Sequence, residues 1–232
     1  MNSESLPSAC LDRLRALSGC IVASTIETFG LRLRNKGFND SRLHCIFNDL
    51  PPMVGYAVTA RIRTANPPME GRNYYDGAEW WDFLLKIPSP RVVVIEDLDN
   101  PPGLGAFIGE VHANILRALG CVGLATNGAV RDLPQVHSTS FQMFAGNISV
   151  SHAYAHVFDF GGPVEIAGLS VKPGDLLHGD LHGVQTIPLE IAELVPAKAL
   201  QILQRRKELN SFCRSDEFSL PNLRRKVQES NS

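Results

Sequence analysis

Two apolar runs bracket a helical pattern, and this arrangement restricts the chain more than any other feature. "RVVVIED" (91–97) is continuous and ends in acids, as a buried strand does. "IGEVHANILRALG" (108–120) puts Ile108, Val111, Ile115 and Leu119 on one face and closes at Gly120. "CVGLAT" (121–126) is the next buried run. Strand, helix and strand over 91–126 have the spacing of a parallel βαβ crossover.

The rest of the chain is organised around that unit. Leu11, Leu14 and Leu17 recur at helical spacing over 8–18, and a second short helix is expected over 22–34. "PPMVGYAVTARIRT" (51–64) alternates and reads as a strand. A loop is expected at 66–77. A short helix follows over 78–87 and is stopped by Pro88 and Pro90, and a second loop is expected at 99–107. Beyond residue 140, short strands are cut by Gly and Pro-Gly turns, as in a sandwich or barrel layer. A last helix is expected over about 190–212, and the polar tail 214–232 reads as loose without a partner. We expect one domain over 1–213.

Bulk properties narrow the function classes. Of 232 residues, 44% are hydrophobic and 20% charged, enough for a sizeable core. The formal net charge of −2 argues against a nucleic-acid-coating protein. No apolar run reaches membrane-spanning length, and the N-terminus lacks the apolar core of a secretory signal. Five widely spaced cysteines form no CxxC pair, so neither a zinc knuckle nor a disulfide framework is suggested. These features together read as a reduced, cytoplasmic protein.

Ligands of parallel α/β units gather beyond the carboxyl ends of the strands. Two such ends are expected here, at 96–100 and 126–132. In "TNGAVRD" (126–132), Asn127 and Gly128 read as a turn out of the strand that aims Arg131 and Asp132 at one ligand rather than at each other. The helix start at 109–111 lies in the same layer, and its first amides lack intrahelical partners. Gly109 would let a ligand approach that backbone closely. Glu110, Arg131 and Asp132 then converge on one rim, with hard oxygens for Mg²⁺ and a planar guanidinium for a carboxylate or enolate oxygen. The competing reading of Arg131 and Asp132 is a loop ion pair.

"GEVHANILRALGCVGLATNGAVRD" (109–132) resembles the signature of the family that contains the regulator of ribonuclease activity A and the 4-hydroxy-4-methyl-2-oxoglutarate aldolases. "GYAVTA" (55–60) and "VKPGDLLHGDLHGVQTIP" (171–188) are similar to two further blocks of that family. The resemblance covers about residues 8–210. It implies an α/β chain with a compact β/β/α sandwich-type fold of swivelling-domain kind, assembled as a homotrimer or a hexamer with sites between subunits. It implies a class II aldolase using Mg²⁺ or Mn²⁺ that cleaves or decarboxylates a small 2-oxo acid and releases pyruvate. By the resemblance, Asp132 holds the metal, Glu110 holds a metal-bound water, and Arg131 contacts the pyruvyl oxygens. The backbone amides of Val111 and His112, next to Gly109, grip the substrate carboxylate. Glu208 matches an acid that reaches a neighbouring subunit's site. One branch of the family instead binds and inhibits a ribonuclease, which makes a non-catalytic regulator the alternative function.

Two departures stand out. Asn127 occupies a position where the family usually has aspartate, which either weakens metal binding or changes only a loop hydrogen bond. The segment 151–160 carries His152 and His156 and no lysine, so these histidines would meet a substrate's distal group; singly, each is more often a satisfied strand-edge histidine. His178 and His182 lie four apart, but the surrounding turn signals favour strand over a helical metal pair. Trp80 and Trp81 read as packing residues or an interface patch, and Cys121 as a small apolar residue.

Overall fold

The structure is a computed structural model that describes residues 5–68 and 78–230. Two helices lead the chain, α1 (Ser8–Arg15) and α2 (Gly19–Glu27). The strands β1 (His44–Cys45) and β2 (Met53–Arg63) follow. Next come α3 (Ala78–Leu85), β3 (Arg91–Asp97), β4 (Ala106–Ile108), α4 (Glu110–Ala118) and β5 (Cys121–Val130). After α5 (Leu133–Ser138) the chain is mostly β: β6 (Gln142–Ile148), β7 (His156–Phe160), β8 (Val164–Ile166), β9 (Leu169–Val171), β10 (Leu176–Asp180) and β11 (Gly183–Ile187). Two helices close it, α6 (Val195–Cys213) and α7 (Leu220–Ser230). The α/β class and the layered β/β/α arrangement expected from the sequence are what the chain adopts.

One mixed sheet runs in the order β1-β6-β5-β3-β2-β10-β11, with β4 also on β5 and β7 on β2. Its centre is parallel, β2 with β3, β3 with β5, and β5 with β6. On one face, Trp80, Leu84, Ala113, Leu116 and Val136 from α3, α4 and α5 pack against Val58, Val93, Ile95 and Leu124. On the other, the hairpin β8–β9 lays Val164, Ile166, Leu169 and Val171 over Ala57, Val92, Val94 and Ala125. These strands are apolar on both sides because both sides are covered. A third apolar cluster joins α1, α2 and α6 to β10 and β11.

Several boundaries move, for identifiable reasons. Helix α4 begins at Glu110 rather than 108, because Ala106–Ile108 is a strand that takes the end of the expected loop and the first residue of the expected helix. Strand β5 does not turn at Asn127–Gly128 but runs on to Val130, with an irregular register between Thr126 and Ala129. A glycine inside a strand often marks such a bulge. Here the Gly128 N–H donates to Thr126 Oγ1 (2.9 Å), and a Cβ at Gly128 would crowd Asp97 and Thr126. Helix α2 starts earlier than expected because Asp180 Oδ2, far away in sequence, accepts the Gly19 N–H (2.7 Å). It also stops earlier: hydrogen bonds to carbonyls three residues back continue through Gly30, which turns the chain at φ 66°.

The tail expected to be loose contains α7. Leu220, Leu223 and Val227 fall at helical spacing, Phe212 and Phe218 meet at 5.8 Å between ring centres, and Lys226 lies 5.1 Å from the Phe212 ring. In α3, Trp80 and Leu84 are core residues rather than surface ones, while Leu85 is exposed. Most of the loop expected at 66–77 lies outside the described residues. No helix among the described residues is long and apolar enough to cross a membrane.

Candidate active site

The bulge in β5 explains how the site is assembled. Strand β3 stays paired with β5 as far as Ile95 opposite Thr126; beyond the bulge, β4 takes over that edge, with Ala106 opposite Ala129 and Ile108 opposite Val130. The gap between them is closed by Asn127. Its Oδ1 accepts the Asp97 N–H (2.7 Å), and its Nδ2 donates to the Asp97 carbonyl (3.0 Å). The side-chain amide thus stands in for a backbone peptide group and continues the ladder. Aspartate has no N–H to give the carbonyl, so asparagine is specified by the strand end itself. Of the two readings of this departure, the structure supports the one that concerns a hydrogen bond.

Strand β4 organises the site. Its Ala106 carbonyl is bonded by His152 Nδ1 (2.6 Å), the Phe107 ring lies 5.0 Å from that of His112, and the Ile108 carbonyl accepts the Arg131 N–H (3.1 Å). Gly109 then caps α4. Trp80 supports Phe107 from below, edge to face at 6.2 Å. Sequence reasoning missed β4 because three residues between Gly105 and Gly109 are too short to show alternation; the apolar run "AFI" was the only signal.

Asp132 makes the turn out of β5. Its backbone is left-handed (φ 54°, ψ 41°), uncommon for a residue with a side chain, and it leads directly into α5. The turn carries its carboxylate to the start of α4. There Oδ2 accepts the Glu110 N–H (3.1 Å), and Oδ1 accepts from Arg131 Nε (3.1 Å). Burial works to raise the Asp132 carboxyl, but the Glu110 N–H, the Arg131 hydrogen bond and charge, and His152 together hold it below the usual carboxylate range. Gly109 makes this approach possible: a Cβ there would overlap Asp132 Oδ2 and crowd Arg131 Cγ.

Arg131 and Asp132 therefore do touch, as the ion-pair reading has it and contrary to the expectation that they point at a ligand rather than at each other. Both remain about one-third exposed (29% and 32%), so the pair is open at the rim. Among the described residues the Arg131 Nη atoms make no hydrogen bond. His112 is the buried member of the group; burial, and secondarily His152, push its imidazole down to about 4. Glu110 and Val111 are exposed at the first turn of α4.

The remaining candidates lie elsewhere. The His156 Nδ1 donates to the Tyr154 carbonyl (2.7 Å), and His156 pairs with Arg63 across β7 and β2; no contact joins it to Arg131 or Asp132. Glu208 is exposed on α6, where its Oε1 accepts from Gln204 (2.7 Å). His178 is a buried strand residue donating to the Leu17 carbonyl (3.0 Å), and His182 leans on Asp180. Cys121 is buried, which pushes its thiol up to about 12.

A model of the RraA-like family, described as Aldolase/RraA, matches residues 22–185. The chain belongs to the RraA-like family. A protein of Halalkalibacterium halodurans, provisionally named a 4-hydroxy-4-methyl-2-oxoglutarate aldolase, is 30% identical over 95 residues, 40% of this chain and 45% of that one. Protein DlpA of Legionella pneumophila is 26% identical over 136 residues, 57% of this chain and 21% of DlpA. The RraA-like chain thus spans under half, and about a fifth, of the length of these two relatives. Among solved structures, RraAS2 of Streptomyces coelicolor, described as an unusual member of the RNase ES inhibitor RraA family, superposes with a TM-score of 0.68. The match is 18% identical and covers 88% of this chain and 96% of RraAS2. At that identity the likeness is one of fold. The family holds both metal-dependent aldolases and RraA regulators.

Proposed function

We propose that this RraA-like protein is a divalent-metal-dependent carbon–carbon lyase that cleaves or decarboxylates a small 2-oxo acid and releases pyruvate. One observation carries the reading. Gly109, lacking a Cβ, lets the Asp132 carboxylate lie against a helix N-terminus with a planar cation on its other oxygen. A surface ion pair has no need of a left-handed aspartate, a glycine cleared of side chain and a helix start at one point.

The donor set fits a hard cation. Among the described residues no three His, Cys, Asp or Glu come together to hold a metal. A lone carboxylate with a second acid beside it suits Mg²⁺ or Mn²⁺, which keep most of their waters, better than a closed cage. Asp132 would hold the ion, with Glu110 next to it. When bound, the ion supplies Lewis acidity to the keto oxygen of the substrate.

The chain's own groups do the rest. The Val111 and His112 amides lie in the first turn of α4, where they would hold the substrate carboxylate. Arg131 would direct its Nη donors at the keto oxygen as negative charge develops there. Neutral His112, its ring tilted against that of Phe107, keeps the wall behind that carboxylate uncharged.

A homotrimer or hexamer accompanies this proposal. Leu104, Val111, Ile148 and Val150 are exposed around the site, an apolar rim that a second copy would cover, and Glu208 would reach a site only from a neighbour. The alternative, a regulator that binds a ribonuclease, gives no reason for Gly109, Arg131 and Asp132 to meet. The deciding experiment is a panel of 2-oxo acids incubated with Mg²⁺ or Mn²⁺ and assayed for pyruvate.

A further inference from the structure

Asp97 is a buried acid with no part in the chemistry proposed above. It ends β3 and is only 3% exposed. Its Oδ2 accepts the Gly103 N–H (2.8 Å), and its Oδ1 accepts the Asp99 N–H (3.1 Å). Among the described residues no cation pairs with it. Burial pushes the carboxyl up from its ordinary value, and the two N–H groups pull it the other way. A charge buried without a counter-charge is costly. Asparagine would avoid that cost, but it would turn an NH₂ group towards one of the two N–H donors. Two oxygens for two backbone donors are what the carboxylate supplies.

Three segments meet at this residue. The Asp97 N–H and carbonyl are bridged by Asn127, in the bulge that leads to Arg131 and Asp132. A Cβ at Gly128, the next residue of that bulge, would crowd the Asp97 side chain. The Asp97 carboxylate holds Gly103, in the loop that leads to β4. Gly103 is left-handed (φ 88°), and its carbonyl accepts from Asn147 Nδ2 (3.1 Å), so it is held from β3 and from β6. Further on, the Gly105 N–H donates to Thr64 Oγ1 (3.3 Å), which donates in turn to Asp99 Oδ2 (3.0 Å). Strand β4 starts at the next residue and ends at Ile108, whose carbonyl accepts the Arg131 N–H (3.1 Å). Gly109 then caps α4 against Asp132.

We infer that Asp97 is a positioning residue: its carboxylate fixes the loop 98–105 and, through β4, sets the start of α4 against Asp132 and Arg131. The inference rests on the lyase reading above. Asp97 hydrogen-bonds to neither Arg131 nor Asp132 and acts on them only through Gly103, β4 and the bulge. Without its carboxylate, Gly103 keeps only the Asn147 bond, and the chain ahead of β4 is free to shift. The amides at the start of α4 then move relative to the Asp132 carboxylate. A misplacement of about 1 Å in a catalytic constellation costs about 10²-fold in rate.

The test sets Asp97→Asn and Asp97→Ala beside Asp180→Asn. Asp180 is also buried and also accepts two backbone N–H groups, from Gly19 (2.7 Å) and His182 (2.9 Å). It follows Gly179, which pairs with Met53 at the start of β2, away from the carboxyl ends of β3 and β5. Each chain is melted, assayed with Mg²⁺ on the 2-oxo acid that the wild type turns over fastest, and followed by hydrogen exchange over 98–109. Both Asp97 variants are expected to lose about 10²-fold in kcat/KM, with KM raised, and to exchange faster over 98–109. A smaller folded fraction lowers kcat alone, whereas a displaced helix start also raises KM, because the substrate carboxylate binds there. Asp180→Asn should keep the wild-type KM and the wild-type exchange over 98–109. Folded Asp97 variants with unchanged kcat/KM, with unchanged exchange over 98–109, or with losses that Asp180→Asn matches would overturn the positioning role and leave the lyase reading standing. A wild type inactive on every 2-oxo acid would instead remove the lyase reading, and the inference with it. If one Asp97 variant fails to fold, the other supplies the comparison; if neither folds, Asp97 serves the fold alone and the inference is overturned.

Discussion

Replacing Asn127 with aspartate tests the account of the strand end. The amide of Asn127 bridges the N–H and the carbonyl of Asp97 at 2.7 and 3.0 Å, in a region where Asp97 is almost fully buried. Aspartate keeps the acceptor and loses the donor. The Asp97 carbonyl then lacks a partner and faces a carboxylate oxygen, close to the buried Asp97 side chain. Leaving one buried acceptor unsatisfied costs about 1–3 kcal/mol, more when charge is involved. We expect Asn127→Asp to lose about 2–3 kcal/mol at pH 7. The introduced carboxyl would be raised above its unfolded value, because only its protonated form can donate to the carbonyl. A raised pKa contributes stability below the unfolded value and loses it as pH rises through the folded value. The deficit relative to wild type should therefore shrink towards about pH 4, near the ordinary carboxylate range. Urea unfolding of both proteins at the two pH values reads it. A variant within about 0.5 kcal/mol of wild type at neutral pH would refute the bridging role, since that is the ordinary range of surface substitutions. Tighter Mg²⁺ binding by the variant would show that position 127 belongs to a metal site after all.

Other outcomes follow from the same geometry. Arg131→Lys should lower kcat by roughly 10²–10³-fold, by analogy with losing one oxyanion donor, and shift the melt little, because a partly exposed ion pair contributes under about 1 kcal/mol. An unchanged kcat would return Arg131 to a loop ion pair. His112 is buried and neutral, so as pH falls from 6.5 towards 4 the unfolded chain takes up a proton that the folded chain refuses. Stability is therefore lost over that window, and His112→Asn should flatten this part of the pH–stability curve; an unaltered slope would place His112 in solvent. Light scattering at micromolar concentration should give a trimeric or hexameric mass, and a monomer would count against sites shared between subunits.

Much of the fold was legible because its signals are long. The continuous apolar runs at 91–97 and 121–126 and the amphipathic stretch between them gave the central βαβ unit, since burial on both faces leaves a run without polar interruption. What escaped notice depends on partners distant in sequence. Three residues of β4 become a strand only because β3 ends early and leaves an edge of β5 unpaired. The start of α2 depends on Asp180, and no local pattern announces a cap from 161 residues away. Asn127 and Gly128 carry turn chemistry, but pairing on both sides of β5 overrides that local preference and converts the turn to a bulge. At the site, the spacing of Gly109, Glu110, Arg131 and Asp132 was readable. The mutual contact of the last two was one of two readings, and the left-handed backbone of Asp132, which local pattern does not announce, decides it. His152 and His156 looked equivalent in the sequence; only the structure separates them, through the Ala106 carbonyl that holds one of them beside the site.

The central claim is that Asp132 holds a catalytic metal at the start of α4, and one comparison addresses it directly. Wild type and Asp132→Ala are incubated with 2-oxo acids in the presence of Mg²⁺, and again after chelation, while pyruvate is followed. Thermal melts establish that both chains are folded. Pyruvate is expected from the wild type only when metal is present, and none from a well-folded Asp132→Ala. Pyruvate release that survives chelation, or that persists in Asp132→Ala at limiting Mg²⁺, would contradict it.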